Sequence, residues 1–298
     1  MREKNIKYSI VIPCYNEANY ISDTIKSLSD QSLKDCYEII VVDNNCTDDT
    51  ANIAIRCGVR VVEEKKRGVC WARQRGTEVA KGEIVISTDA DTTFDHQWLA
   101  KIEQNFQQNS DAVAVVGVCK FKDGPIWGKI YPKLLFGPNY LVYLLTGHTC
   151  YASATNIAFK KKYWTGYDTS LNQGGDELDL LRRLRSQGRV IFDYSNPTHT
   201  SGRRLTRGFI YNLFISLLVY YFLAYYLNKL FKKEILSSAP AYRDNSNVIA
   251  RFLRVLVPGT LIFMLVFIPF ATPRHHLFNT IHSAGDYLTD QILRRSEL

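Results

Sequence analysis

With 298 residues, the chain has room for one large domain, or for one domain with an appendage. Charged residues at 22% and apolar residues at 46% are ordinary proportions for a folded protein and exclude disordered and fibrous classes. A net charge of +8 and a pI near 9.0 favour an anionic partner, a requirement that nucleic acid, anionic lipid and nucleotide phosphates meet equally.

The elements alternate from the start. Tyr8–Ile12 is a short β-rich run that ends at Pro13. Ile21, Ile25 and Leu28 then recur at helical spacing. Glu38–Val42 is a second strand, bounded by Asp43-Asn44-Asn45; Thr47 is the expected N-cap of the next helix, with Asp48 and Asp49 in its first turn. Val59–Val62 reads as a third strand, and Val69, Ala72, Gly76, Val79 and Ala80 trace a helical stripe. Glu83–Ser87 is a fourth strand, followed by Asp89-Ala90-Asp91; Trp98, Ile102 and Phe106 mark a helix, and Ala112–Cys119 a further strand.

This order predicts an α/β fold with a mostly parallel sheet and helices on both faces. In such sheets, ligands bind beyond the carboxyl ends of the strands. The clusters Pro13–Glu17, Asp43–Asn45 and Asp89–Asp91 each follow a strand end, so all three are expected on one rim.

Residues 125–151 are aromatic-rich and read as a loop and helix over the cleft. Ser153–Phe159 and Arg189–Phe192 read as short strands, with a helix over Asp176–Ser186 between them. Composition changes near Gly202. Phe209–Leu227 is apolar and aromatic, with Arg203, Arg204 and Arg207 before it and Lys229, Lys232 and Lys233 after it; Val255–Ala271 is a second apolar stretch. A spanning helix needs about 20 apolar residues. A membrane hairpin and helices lying in the interface both fit. The expected organisation is a catalytic domain over residues 1–202 and a membrane-associated helical region over 203–298.

Seven scattered cysteines without CxxC spacing indicate no zinc ribbon and fit free thiols in a reducing compartment. Met1–Lys7 is charged and lacks the apolar core of a secretory signal, so the catalytic domain is expected to stay cytoplasmic, at the cell membrane.

Asp89 and Asp91, at alternate positions after a strand, suit a hard divalent cation that completes its shell with substrate phosphates; a solvated turn is the plain alternative. No GxGxxG follows the first strand and no GxxxxGK[ST] occurs, which argues against nicotinamide, flavin and P-loop chemistry.

Six stretches together resemble the family 2 glycosyltransferases of the GT-A fold. They are Ser9–Glu17 (SIVIPCYNE), Ile39–Thr50 (IIVVDNNCTDDT), Gly68–Gly76 (GVCWARQRG), Lys81–Thr92 (KGEIVISTDADT), Ala154–Lys160 (ATNIAFK) and Gly174–Gly188 (GGDELDLLRRLRSQG), in the family's order over roughly the first 200 residues. The resemblance implies that Pro13, Tyr15 and Glu17 line the nucleotide site, that Asp43 bonds the base and that Arg73 stands beside base or phosphates. It also implies that Asp89 reaches the ribose and that Asp91 binds Mg²⁺ or Mn²⁺. The family's Gly-Glu-Asp motif, whose Asp is the catalytic base, stands here as Gly175-Asp176-Glu177. Position matches Glu177 to the base and chemical identity matches Asp176. Glu177 lies above Leu181 and Leu184 on the helix, where desolvation raises a carboxyl pKa, which favours it as the base. Arg203 and Arg204 either close over the diphosphate or anchor the following helix to lipid headgroups.

The expected function is transfer of a sugar, with inversion, from a nucleotide-diphosphate sugar to an acceptor hydroxyl or phosphate. Polyprenyl phosphate or a lipid-linked sugar is the expected acceptor, and no nucleic-acid partner is expected. A nucleotidyltransferase and a catalytically inactive nucleotide-sugar-binding protein are the alternatives.

Overall fold

The first strand, β1 (Tyr8–Cys14), is apolar on both faces, and its residues divide by parity. Tyr8, Ile10, Ile12 and Cys14 enter one core layer while Val11 enters the other; in β2 (Tyr37–Asp43), Ile39 and Val41 separate from Ile40 and Val42 in the same way. A strand buried on both faces belongs inside a sheet covered by helices. The computed structural model describes residues 6–171 and 175–231 and has this architecture.

Eight strands form one sheet in the order β3-β2-β1-β4-β7-β6-β8-β5. The remaining strands are β3 (Arg60–Glu63), β4 (Ile84–Ser87), β5 (Thr92–Thr93), β6 (Ala112–Phe121), β7 (Ile157–Lys160) and β8 (Arg189–Thr200). Helices α1 (Ile21–Ser29), α2 (Thr50–Arg56) and α4 (Trp98–Gln108) cover one face. Helices α3 (Val69–Val79), α5 (Tyr131–Thr146) and α6 (Asp176–Arg185) cover the other. In α1 the buried positions are Ile21, Thr24, Ile25 and Leu28, the face its spacing predicts.

The sheet is mixed rather than mostly parallel. Neighbours are parallel from β3 through β4 and again between β6 and β8; β7 runs antiparallel to both β4 and β6, and β5 antiparallel to β8. The βαβ repeat runs on through α4 and ends after β6, which is parallel to β4 with β7 between them. Beyond it the chain makes a long excursion through α5 and re-enters the sheet from the opposite direction as β7.

Three local expectations also change. Helix α2 starts at Thr50 with Asp49 at the N-cap position, and Thr47 bonds Asn16 instead, its N–H donating to Oδ1 at 2.7 Å. The strand expected at Ser153–Phe159 is confined to Ile157–Lys160, because residues 153–156 form a bonded turn, closed by Asn156 N–H on Ser153 O at 2.9 Å. The last strand runs to Thr200 rather than ending at Phe192. Its second half is polar yet buried, because each buried polar group there has a partner. Asn196 Nδ2 donates to Trp98 O (3.0 Å), Thr198 shares a hydrogen with Thr155 (2.7 Å), and Thr200 Oγ1 reaches Asp91 Oδ1 (3.1 Å).

After β8, a 3₁₀ turn (Arg203–Arg207) leads into a π-helical stretch (Tyr211–Leu223) and then α7 (Ala224–Phe231). These residues pack on the sheet and α6: Leu205 and Tyr225 are buried, and the Tyr225 hydroxyl lies 3.2 Å from Asp179 Oδ1. The Tyr225 ring also lies against Gly175, whose φ of +84° and close contact leave no room for a Cβ. Among the described residues, no helix is long and apolar enough to cross a membrane. The second apolar stretch, Val255–Ala271, lies outside the described residues.

Helix α3 approaches the sheet at Gly76, where an added Cβ would stand 2.3 Å from Val11 Cγ1 and 2.9 Å from Val42 Cγ2. Gly76→Ala should therefore destabilise the fold by about 1–3 kcal/mol, the usual cost of overpacking, read as a lower urea midpoint at unchanged slope. Adding Val11→Ala should recover part of the loss; strictly additive effects would show that the helix moves away instead.

Candidate active site

The parallel half of the sheet places the predicted clusters on one rim. Pro13 pairs with Val42 and Cys14 with Asp43, so the ends of β1 and β2 lie level. β4 pairs with β1 through Val11 and Ser87, which sets Asp89 and Asp91 just beyond the same edge.

Two guanidinium groups organise the carboxylates at this rim. Arg73, on α3, is buried; it bonds Asp176 through Nη1 and Asp89 Oδ1 through Nη2 at 2.8 Å. Burial alone would lower the Arg73 pKa, but the charges of Asp176 and Asp89 outweigh it and hold the group above its usual range. Arg203 forms a two-pronged pair with Glu17, at 3.0 and 2.8 Å, and its Nη2 also lies 2.8 Å from Asp91 Oδ2. Its guanidinium stacks over the Tyr20 ring at 4.7 Å. Asp91 also accepts from Thr200. Burial and the neighbouring Asp89 charge push the Asp91 carboxyl up, against the pull of Arg203.

The other predicted residues take distinct places. The Tyr15 hydroxyl accepts from Arg67 at 3.1 Å, and the same guanidinium lies 4.7 Å from its ring. Asp43 Oδ1 accepts the Cys46 N–H at 2.8 Å, which closes the turn after β2. Arg204 is exposed at the rim, near enough for its charge to favour ionised Asp91. His199 lies 3.3 Å from Asp95, and His148 bonds the backbone of Thr146 at 2.8 Å. Cys14 is buried and Cys46 half-buried; burial pushes both thiols up, Cys46 to about 12, so neither is poised as a nucleophile.

At the start of α6, Asp176, Glu177 and Asp179 are all buried. Asp179 pairs with Arg183 at 2.5 Å, as its four-residue spacing predicts, and with Arg182 at 3.2 Å. Asp176 is neutralised by Arg73. Glu177 differs from both, for its Oε2 is buried with no hydrogen-bond partner among the described residues. Burial first, then the Asp176 charge and hydrogen bond, raise its carboxyl well above the ordinary range.

Several organising residues escaped the reading by motif. Asn44 is buried and bonds Glu64 O (2.8 Å), Lys66 O (2.7 Å) and the Gly68 N–H (2.8 Å), fixing the basic loop 65–67 beside Tyr15. The Asp43-Asn44-Asn45 cluster signalled a turn but not which member held it. Asp123 bonds the Gly202 N–H and Ser201 Oγ, the latter at 3.2 Å, and so sets the turn that presents Arg203. No local pattern marks that pairing.

Asp89 and Asp91 offer hard carboxylate oxygens, and the Arg203 guanidinium against Asp91 shows that the position takes a cation, so these residues fit Mg²⁺ or Mn²⁺. Among the described residues no group of three or more His, Cys, Asp or Glu side chains is arranged to hold a metal, so water and substrate phosphate oxygens would complete the shell of an ion held by Asp89 and Asp91.

Residues 9–165 match glycosyl transferase family 2, which is more than half of the chain, and the chain belongs to that family. The glucosyl-dolichyl phosphate glucuronosyltransferase of Haloferax volcanii is 27% identical over 199 residues, covering 58% of this chain and 59% of that protein. The chain therefore matches less than two thirds of that relative's length. Mannosyltransferase PcManGT from Pyrobaculum calidifontis, solved with GDP-Man and Mn²⁺, superimposes with a TM-score of 0.58 at 19% identity, covering 93% of this chain and 84% of that one. S. aureus TarS 1–349, solved with UDP, gives 0.56 at 19% identity, with 66% and 60% covered. These structural likenesses establish the shared fold.

Glu177 binds its proton more tightly in the folded protein than in the unfolded chain, where the pKa is near 4.5. Its contribution to stability is therefore complete at low pH and is lost as pH rises toward the raised value. Glu177→Gln removes that loss, so its stability relative to wild type should improve as pH climbs above 4.5 in urea unfolding. A gap that stays constant with pH would mean that the carboxyl is solvated.

Proposed function

We propose that this protein is a metal-dependent, inverting glycosyltransferase. It moves a sugar from a nucleotide-diphosphate sugar to a lipid-linked acceptor hydroxyl or phosphate at the cytoplasmic face of the cell membrane. The observation that carries this reading is the pair of arginine–carboxylate clusters on one rim, with the buried Glu177 carboxyl, whose Oε2 has no partner among the described residues, beside them. Family membership supports the reaction class. The Mn²⁺ and GDP-Man in the mannosyltransferase and the UDP in TarS support the donor and the cation. The dolichyl phosphate in the name of the Haloferax relative supports the lipid-linked acceptor.

Pro13, Tyr15 and Asp43 line the nucleoside end, with Arg67 stacked on Tyr15. Asp91, assisted by Asp89, would hold the Mg²⁺ or Mn²⁺, which supplies neutralisation of charge on the departing diphosphate. Arg203 and Arg204 add guanidinium charge for the same oxygens, and Glu17 orients Arg203. Arg73 holds Asp176 in place. The adjacent negative charge and the burial of Glu177 make it a better proton acceptor than an ordinary carboxylate, which suits removal of the acceptor proton. The catalytic domain is assigned to 1–202 and the membrane-associated region to 203–298, the first turn of which contributes Arg203 to the site.

Thermal shifts with UDP- and GDP-sugars, with and without Mn²⁺, test donor and cation together. Asp91→Ala should abolish the metal-dependent part of the shift and leave the protein folded, and full turnover in excess chelator would refute the metal role. At saturating donor, Glu177→Gln should keep donor affinity and lose about 10²–10⁴ in kcat, the usual share of general-base catalysis. If Asp176→Asn shows that loss and Glu177→Gln does not, the base is Asp176. The released product separates the reaction classes: a nucleoside diphosphate for glycosyl transfer, pyrophosphate for nucleotidyl transfer.

A chain ending at Gly202 lacks both Arg203 and Tyr225. It should bind donor more weakly than the full chain in titration calorimetry; equal affinity would confine the donor site to 1–202.

A further inference from the structure

Helix α5 is tied to the body by its inner face and presents an apolar outer face. Inside, Asn139 donates to Tyr151 O at 2.7 Å and accepts the Cys150 N–H at 2.7 Å, and Phe136 stacks on Tyr151. Outside, Ile130, Leu134, Leu141 and Leu145 recur at steps of four, seven and four residues, one helical face, and are 57%, 49%, 58% and 77% exposed. Polar residues normally occupy the solvent face of a surface helix. The tail repeats the pattern, with Ile210, Phe214 and Leu218 exposed at four-residue intervals. The two segments start side by side: Trp127 meets Phe209 edge-on at 5.4 Å, and the Tyr131 hydroxyl donates to Asn212 O at 3.0 Å.

Apart from Asp123, whose carboxylate bonds the Gly202 N–H and Ser201 Oγ, the exposed charge around this junction is positive. Lys129, Lys133, Arg204 and Arg207 are exposed there. Residues 124–167 contain no Asp or Glu, and neither do residues 194–231. The partner must therefore combine negative charge with apolar depth. A second copy of the chain would bring the same positive collar. Residues 232–298 hold eight lysines and arginines against five acids, a further net positive charge.

We infer that the outer face of α5, together with the exposed stripe that begins at Ile210, docks on the surface of an anionic lipid bilayer. The apolar side chains enter the boundary between headgroups and acyl chains, and the basic collar lies against lipid phosphates. Phe136 of α5 stacks on Tyr151, which is close enough to feel the Glu177 charge, and Arg185 at the end of α6 donates to Thr149 O, just past α5, at 2.9 Å, so the docked helix adjoins the helix that carries Glu177. The bilayer then lies beside the acceptor side of the cleft. That last consequence rests on the proposed lipid-linked acceptor; the docking surface itself rests on exposure and charge.

Full-length Leu145→Trp reports on the face directly. With vesicles of equimolar phosphatidylcholine and phosphatidylglycerol, its emission should shift to the blue and be quenched by brominated lipid beyond the parent protein. Pure phosphatidylcholine should produce a weaker response. Leu141→Glu/Leu145→Glu should bind the mixed vesicles about tenfold more weakly while keeping its nucleotide thermal shift. Emission from Leu145→Trp that matches the parent background overturns the inference. So does a double variant that dissociates a dimer in sedimentation but binds vesicles normally, because the face is then an interface between copies. Loss of turnover with intact vesicle binding would count against the glycosyltransferase reading and leave the docking surface standing.

Discussion

Arg73 is the point on which the candidate site depends. It is buried on α3, and its guanidinium joins the first residue of α6 to the segment after β4. A buried ion pair adds little net stability compared with an apolar contact, but removing one partner strands the other charge and costs about 3–5 kcal/mol. Geometry is what the pair secures: Asp176 cannot turn away, and the helix start carrying Glu177 is held against the rim. Burial first, and then the charge of the anchored Asp176, raise the proton affinity of Glu177 beside it, against the pull of Arg73. One arginine thus links the packing of three elements to the chemistry of a fourth group.

The second guanidinium gives the tail a place in the site. Arg203 lies just past the last strand, where Asp123 fixes the turn, and it spans Glu17 after β1 and Asp91 after β4. Its contacts neutralise two carboxylates at the position expected to take a divalent cation. The segment that follows bears the apolar stripe and also places Tyr225 against Gly175 and Asp179. Residues after Gly202 therefore connect the rim, the start of α6 and the exposed apolar surface, so the candidate site and the proposed docking face share one stretch of chain.

Polar burial explains where the architecture departs from its repeating first half. Strands β1 to β4 are written in β-branched and apolar residues, so periodicity identifies them. The second half of β8 is Asp193 to Thr200, a run that reads as loop. It becomes an interior strand because Asn156, Thr155 and Trp98 meet its polar groups from neighbouring elements. Similarly, the reversal of β7 follows from the path through α5, which no window of sequence around β7 records.

Much of the site was legible residue by residue. The three strand-end clusters, the Asp89–Asp91 pair, Arg73 and the acids opening α6 were found from pattern and resemblance, because strand ends and helix starts are local events set by neighbouring residues. The helical spacing of Asp179 and Arg183 was sufficient to predict their ion pair. The sequence by itself determined an α/β chain with helices on both faces and its carboxylates gathered at one rim. Tertiary structure decided which carboxylate each arginine holds. Arg73 and Asp176 are 103 positions apart, and Glu17 and Arg203 are 186 apart. Such pairings depend on strand order and on the direction in which β7 re-enters the sheet. Burial was decided at the same level: an Asp, a Glu or a polar strand is solvated or desolvated according to what packs over it, and that covering comes from distant parts of the chain.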